Sequence, residues 1–348
     1  MKTYLILFLL VCCTQGSAQS TERFAFRSVV FYNVENLFDT TNDSLVWDDE
    51  RTPEGRYHWT RSRYETKLNH ISKVIRSFKT PQGSTILPDV IGVCEVENRK
   101  VLDDLVAHPE LESLGYDLVH YDSPDKRGID VALLYRNESF TPTSFQSRRL
   151  LLFEDDGNRQ YTRDQLVVGG YLDGELFYFI VNHWPSRRGG ALISNPKRIR
   201  AALLNKRITD SLLTNEPEAK IVGMGDFNDD PFDTSLKKTL KTGNLKKPDS
   251  LHRLYNPMDA LYKRGIGSLA HWDSWHLFDQ FYITQNLISE SKETLSFWKA
   301  GVWKPKFLIT RKGRYKGYPF RTYAGGRYAG GYSDHFPIYL YLLKKVSN

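Results

Sequence analysis

The chain alternates short apolar runs with polar or turn-forming boundaries. Eight such runs, at residues 29–34, 90–96, 129–135, 166–172, 176–181, 220–224, 277–283 and 336–342, predict buried β-strands. Helical spacing is rarer. Tyr64, Leu68, Ile71, Ile75 and Phe78 fall on one face of a helix, and a second helix is expected after Pro196, with Ala201, Leu204, Ile208 and Leu212 as its stripe. Strands outnumber helices, and the step from Leu172 to Leu176 is too short for a crossover helix, so the sheets are at least partly antiparallel. An α+β sandwich follows, with two sheets packed face to face and helices outside.

No linker, low-complexity tract or repeat divides residues 19–348, which are expected to form a single domain. Residues 1–18 have the form of a signal peptide: Lys2, an apolar run from Leu5 to Val11, and small residues at Gly16, Ser17 and Ala18. That pattern predicts export, to the periplasm or beyond the cell. A lipid anchor on Cys12 or Cys13 is the alternative, against which stands Val11, a poor residue before a lipobox cysteine. Cys94 is then the one cysteine left in the body, so no disulfide framework is expected. No other stretch approaches the ~20 apolar residues of a membrane span.

With 348 residues, 40% of them hydrophobic, the chain is long enough to bury a large core, which excludes a disordered scaffold. The net charge of +7 suits a polyanionic partner and equally suits solubility. A monomer is the default expectation.

Polar groups able to hold a metal recur where the predicted strands end. Period-2 alternation places Asn33 and Glu35 of NVEN on one face, and Glu95 and Glu97 of VCEVEN on another. A carboxylate in an apolar strand costs several kcal/mol, on the order of measured buried-charge penalties, unless it is paired or metal-bound. Asp226 and Asn228 follow the glycine turn in GMGDFN, Asp334 and His335 lie between Gly330-Gly331 and Pro337, His183 sits in VNHWP, and Asp279 in LFDQ. Each alone has a bland explanation, such as a salt bridge or an Asx turn. Their joint occurrence at strand ends of one domain does not.

The ordered motifs NVEN, CEVEN, NHWP, GDFND, FDQF and SDHFP resemble the endonuclease/exonuclease/phosphatase superfamily over nearly the whole of residues 19–348. That resemblance implies a four-layer α/β sandwich of two mixed sheets flanked by helices. It also implies a metal set of Asn33, Glu35, Glu95 and Asp334, with Glu95 the principal ligand and Mg²⁺ or Mn²⁺ the ion, as hard oxygen donors require. His335 is similar to the family's general base, oriented by Asp279. Asp226 is the base in the alternative mechanism, and the sequence leaves both open. Asn228 and His183 resemble donors to the non-bridging phosphate oxygens. Asp130 in RGIDVALLYR, and Arg187 and Arg188 after NHWP, are further candidates for substrate contact, with a structural role and a solvated loop as their alternatives.

The resemblance implies hydrolysis of a phosphate ester. Nucleic acid is the first expectation, given the charge, the export signal and basic stretches with interleaved aromatics such as Arg311 to Lys316. A phospholipid headgroup or small phosphate ester is the alternative. Exposed Trp272, Trp275, Trp298 or Trp303 would serve a lipid-active enzyme, but burial in the core is the expectation for them. A binding module without chemistry would lack at least one essential group, and none is missing. If nucleic acid is the substrate, turnover falls steeply as salt is added. A flat salt profile in a plasmid- or RNA-hydrolysis assay excludes it.

Overall fold

The structure, a computed structural model, describes residues 23–243 and 254–346. The signal-peptide segment and its Cys12 and Cys13 lie outside the described residues.

Two sheets carry the fold. The strands of the first are β1 (Arg23–Leu37), β2 (Val90–Val96), β3 (Tyr116–His120), β4 (Asp130–Arg136), β12 (Ser296–Val302) and β13 (Ile338–Val346), in the spatial order β12-β13-β1-β2-β4-β3. Those of the second are β5 (Phe140–Arg148), β6 (Gln165–Leu172), β7 (Glu175–His183), β8 (Lys220–Asp226), β9 (Thr242–Gly243), β10 (Leu254–Tyr255) and β11 (Asp279–Thr284), in the order β9-β10-β11-β8-β7-β6-β5. At each centre a parallel pair, β1 with β2 and β7 with β8, is flanked by antiparallel neighbours. Helix α1 (Arg61–Ile75) makes the crossover of the first pair and α3 (Ala191–Asn215) that of the second.

Side-chain alternation explains the layering. Val29, Phe31, Cys94, Val131 and Leu340 of the first sheet pack against Val168, Phe179, Val181, Met224 and Phe281 of the second. The opposite face of the first sheet, with Val30, Tyr32, Ile91 and Val93, is covered by Tyr64, Leu68 and Ile71 of α1 and by Val101, Leu102 and Leu105 of α2 (Arg99–Val106). Asn98 starts α2 by accepting the Val101 amide at 3.1 Å. Ala201, Ala202 and Ile208 of α3 cover the outer face of the second sheet. The result is the expected four-layer sandwich.

Four differences from the sequence reading have physical causes. Helix α3 begins at Ala191, before Pro196, which lies inside it. The carbonyl that Pro196 cannot satisfy is that of Leu192, a residue 88% exposed, so water can take it. The buried face of α3 is also more polar than its apolar stripe implies, because Arg198, Asn205 and Thr209 point inward. Strand β5 escapes hydrophobic patterning because it is a largely exposed edge strand. The four tryptophans are not core residues: Trp275, Trp298 and Trp303 are half-buried and Trp272 is 80% exposed. Trp272 and Asp273, both at positive φ, are the two-residue tip of a hairpin formed by Leu269–His271 and Ser274–His276, a position that cannot be buried.

Glycine is required where β8 meets β7. A Cβ on Gly225 would lie 2.4 Å from the Asn182 carbonyl oxygen and 2.6 Å from the Asn182 Cβ. Gly225→Ala is therefore expected to lower stability by about 1–3 kcal/mol, read as a drop in the thermal midpoint. An unchanged midpoint would show that the two strands can separate freely.

Candidate active site

Strand register gathers the site. In the second sheet Asp226 is opposite His183 on one side and Asp279 on the other, so three adjacent strands end in a row of three ionisable groups. From the first sheet, Asn33 reaches across and its Nδ2 donates to Asp226 Oδ2 at 3.1 Å. Glu95 faces the same row, with its Oε1 3.8 Å from His183 Nε2, which is also 3.8 Å from Asp226 Oδ2. The loop before β13 brings Asp334 and His335, whose Nε2 lies 3.9 Å from Asp226 and 4.0 Å from Asp334.

The backbone at these strand ends departs from the alternation that located the residues. Glu35, Asn36, Glu95 and Asn228 all have positive φ, a conformation that costs a non-glycine residue on the order of 1–3 kcal/mol. Pairing of β1 with β2 jumps from Asn33–Cys94 to Leu37–Val96, so both strands are irregular where their carboxylates occur. Asn33 and Glu35 therefore do not simply share a face. The Asn33 side chain accepts the Glu35 amide at 2.9 Å, while the Glu35 carboxylate turns to accept the Thr322 amide at 2.6 Å. Glu97 likewise leaves Glu95 and accepts the Asp39 amide at 2.6 Å.

The His335 imidazole is held through Nδ1 by Asp279 Oδ2 at 2.6 Å, and Ser268 Oγ donates to the same carboxylate oxygen at 2.5 Å. Burial alone would lower the pKa of His335, but Asp279, Asp334 and Asp226 outweigh it and raise the pKa well above the usual value. His183 goes the other way. Burial, with Arg163 and Arg127 nearby, holds it well below the usual range, and its Nδ1 is buried without a partner. Burial also pushes Asp226 up to about 7, with Asp279 and Glu95 adding to the rise against His335 and the Asn228 amide. Glu35 is pushed up to about 7 by burial and by Asp334, despite Lys67 and the Thr322 amide.

Ser333 and Lys67, not singled out from sequence, hold this arrangement together with Arg163, which the sequence offered only as a candidate for phosphate contact. Ser333 Oγ donates to the Asn33 carbonyl at 2.7 Å and accepts the His335 amide at 3.0 Å, joining SDHFP to NVEN. Lys67, fully buried on α1, donates to Thr322 Oγ1 and to the Tyr332 carbonyl, both at 2.7 Å. Its place among Tyr64, Leu68 and Ile71 was the available signal, since a lysine on an apolar stripe requires a partner. Arg163 pairs with Asp125 at 2.8 Å and donates to the carbonyls of His183 and Trp184.

The three substrate candidates separate. Arg187 is occupied by Asp229, Asp230 and Asp233 and donates to the Asn228 carbonyl at 2.8 Å, so it braces the GDFND turn instead of standing free for a phosphate. Arg188 is exposed on the wall of a cleft. Asp130 is buried and accepts from His120 Nε2 at 3.1 Å and from the Ser123 amide at 2.9 Å, an arrangement that ties down the loop carrying Asp125 and Arg127. Asn228 donates its Nδ2 to the Trp184 carbonyl at 3.0 Å and its amide to Asp226 at 2.9 Å.

The donor set fits a hard divalent cation. Glu95 and Asp226 each lie 3.8 Å from His183 Nε2, and Asp226 and Asp334 lie 3.9 and 4.0 Å from His335 Nε2, so three carboxylates face one region, and burial together with neighbouring carboxylates raises Asp226 and Glu35, a cost that a cation would relieve. Asp226, Asp279 and His335 also lie within metal-binding distance of one another, but the short Asp279–His335 hydrogen bond already accounts for two of them.

Comparison with known proteins agrees with this geometry. No curated protein matches the chain. Among solved structures it is similar to an endonuclease/exonuclease/phosphatase family protein from Bacteroides thetaiotaomicron, with 17% identity over 93% of this chain and 100% of that one and a TM-score of 0.55. It is similar also to a mannosyl-6-phosphatase of the same organism, at 17% identity over 92% and 100% with a TM-score of 0.53. A third likeness is D. rerio TDP2 complexed with single strand DNA product, at 14% identity over 91% and 99% with a TM-score of 0.50. At these identities the likeness concerns the fold. The sequence profile of the endonuclease/exonuclease/phosphatase family, whose members are hydrolases acting on phosphate esters, matches residues 28–344. The chain belongs to that family.

Proposed function

We propose that this protein is a phosphodiesterase that cleaves nucleic acid with Mg²⁺ or Mn²⁺, outside the cytoplasm. The observation that carries this reading is a cleft of about 1070 Å³ that opens beside Asn228 and carries Lys126 and Arg188 on its wall, with Arg127, Arg163 and Lys197 held in ion pairs to Asp125 and Glu154. Its volume is at the upper end for small-ligand pockets, and Lys126 and Arg188 suit a chain of phosphates. The DNA-bound likeness is compatible with this reading, and the signal-peptide pattern of residues 1–18 is the basis for the location.

Glu95, with Asn33 and Asp334, would hold the metal. When bound, the ion supplies charge stabilisation at the phosphate and at the leaving oxygen. Glu35 lies one layer back, against Lys67 and the Thr322 amide, and keeps the Asp334 loop in place. His335, kept cationic by Asp279, Asp334 and Asp226, is suited to donate a proton or hydrogen bond to the phosphate. That charge supports Asp226, whose pKa burial raises to about 7, as the acceptor of the water's proton in its ionised form. His183, neutral and with Nε2 toward Glu95 and Asp226, and Asn228 line the position where phosphate oxygens gain charge.

Metal-dependent nicking of plasmid by the purified protein, lost with EDTA and in Glu95→Ala, is the expected result. Release of phosphate or phosphocholine from small esters or sphingomyelin, with nucleic acid left intact, would replace this reading with the alternative. His335→Ala and Asp226→Asn should each lower kcat by about 10²–10⁴-fold in folded protein, and undiminished turnover in either removes that residue from the chemistry. The carboxylates also predict a pH effect on stability. Because Asp226 and Glu35 are raised in the folded state, their contribution is fully present below about pH 4 and is lost as pH rises through about 7. In EDTA the thermal midpoint should therefore fall between those limits, and Mg²⁺ should restore it at pH 7. A midpoint that rises over this range, or is indifferent to Mg²⁺, contradicts the carboxylate cluster as the metal site.

A further inference from the structure

Two aromatic side chains stand on the lining of the cleft, each beside a cation. Trp47 is 69% exposed, yet its loop is fixed: its amide donates to the Lys126 carbonyl at 2.7 Å, and Lys126 Nζ lies 5.1 Å from its ring. Tyr161 is 45% exposed, with the Arg159 guanidinium 5.1 Å from its ring. Both rings line the same cleft as Asn228. Among the described residues, Lys126 and Arg188 form no ion pair with a carboxylate. Leaving a large indole mostly in water forfeits the burial energy a core tryptophan would have, and a tryptophan on a pinned loop is already ordered for a flat partner.

We propose that Trp47 and Tyr161 form a base-stacking subsite, and that the substrate is single-stranded nucleic acid whose unpaired bases lie on these rings while Lys126 and Arg188 meet its phosphates. The inference rests on the nucleic-acid reading above and narrows it. A duplex offers its base faces to nothing outside its own stack, whereas unpaired bases stack on aromatic side chains irrespective of sequence. The cation beside each ring places positive charge next to the base, where the adjoining phosphate must lie.

The test separates bases from phosphates. Binding is measured by fluorescence anisotropy in EDTA, with a labelled oligothymidylate and an abasic strand of the same length. The protein should prefer the base-bearing strand by about tenfold or more, the scale of base–aromatic stacking. The preference should shrink in Trp47→Ala and Tyr161→Ala and largely persist in Trp47→Phe, which keeps a ring, with thermal midpoints confirming that the variants fold. Equal affinity for the two strands, or a preference that survives both alanine variants, overturns the subsite. So does binding only to phosphatidylglycerol vesicles, for which Leu192 and Ile193, 88% and 76% exposed, would be the contact. Nucleic-acid hydrolysis in Mg²⁺ without base preference sinks this inference alone. Neither binding nor hydrolysis of nucleic acid sinks the nucleic-acid reading with it.

Discussion

Buried negative charge is the constraint on which the rest of this structure depends. Asp226 and Asp279 occur side by side in adjacent strands, with Glu95 and Glu35 arriving from the other sheet and Asp334 from the loop before β13. Carboxylates removed from water are tolerable only if hydrogen-bonded, paired or joined by a cation. Three of the five have part of that requirement met by protein, Asp226 by Asn33 and the Asn228 amide, Asp279 by His335 and Ser268, Glu35 by Thr322 and nearby Lys67, while Glu95 and Asp334 are only partly buried. The remainder is an electrostatic demand for a divalent ion. The site is thus prepared for metal by the same crowding that makes it costly without one.

A cluster of this kind needs a stiff frame, and the frame is polar as well as apolar. Behind the second sheet, Asn182 donates to the Met224 carbonyl and is met by Asn205 of α3 at 2.5 Å, while Tyr282 donates to Asn205. Beyond the strand ends, Arg198 on Asp229 at 2.6 Å and Arg187 on Asp233 at 2.6 Å hold the turn that carries Asn228. Arg163 does the same for the carbonyls of His183 and Trp184. These buried groups are mutually satisfied, which converts polar residues inside the sandwich into position-setting contacts. The positive φ of Glu35, Glu95 and Asn228 is sustained by this frame, since local preference alone would relax it.

The strands that are buried on both sides, β1, β2, β4, β7 and β8, were legible as apolar runs, because a central strand must be hydrophobic throughout its length. The edge strand β5 was not, because its side chains face water and its membership of the sheet rests on backbone hydrogen bonds that any sequence can make. At the site, residue types and their place at strand ends were legible for Asn33, Glu95, His183, Asp226, Asp279 and His335. The direction of each side chain was not. Alternation paired Glu35 with Asn33 and Glu97 with Glu95, and in both cases an irregular strand end separated them.

The chain's order of residues therefore determined, by itself, the layers of the sandwich, the strands at its centre and the kinds of group at their ends, since these follow from hydrophobic periodicity and local turn chemistry. Only the tertiary structure decided that Arg187 braces a turn while Arg188 faces the cleft, that Lys67 is buried behind Glu35, that Trp272 is exposed and that Trp47 and Tyr161 share one cleft. The reason is that these facts concern which distant segments meet. Lys67 and Tyr332 are separated by 265 positions along the chain yet joined by one hydrogen bond. No local pattern records such a pairing, because the free energy that selects it belongs to packing two sheets and their charged ends together.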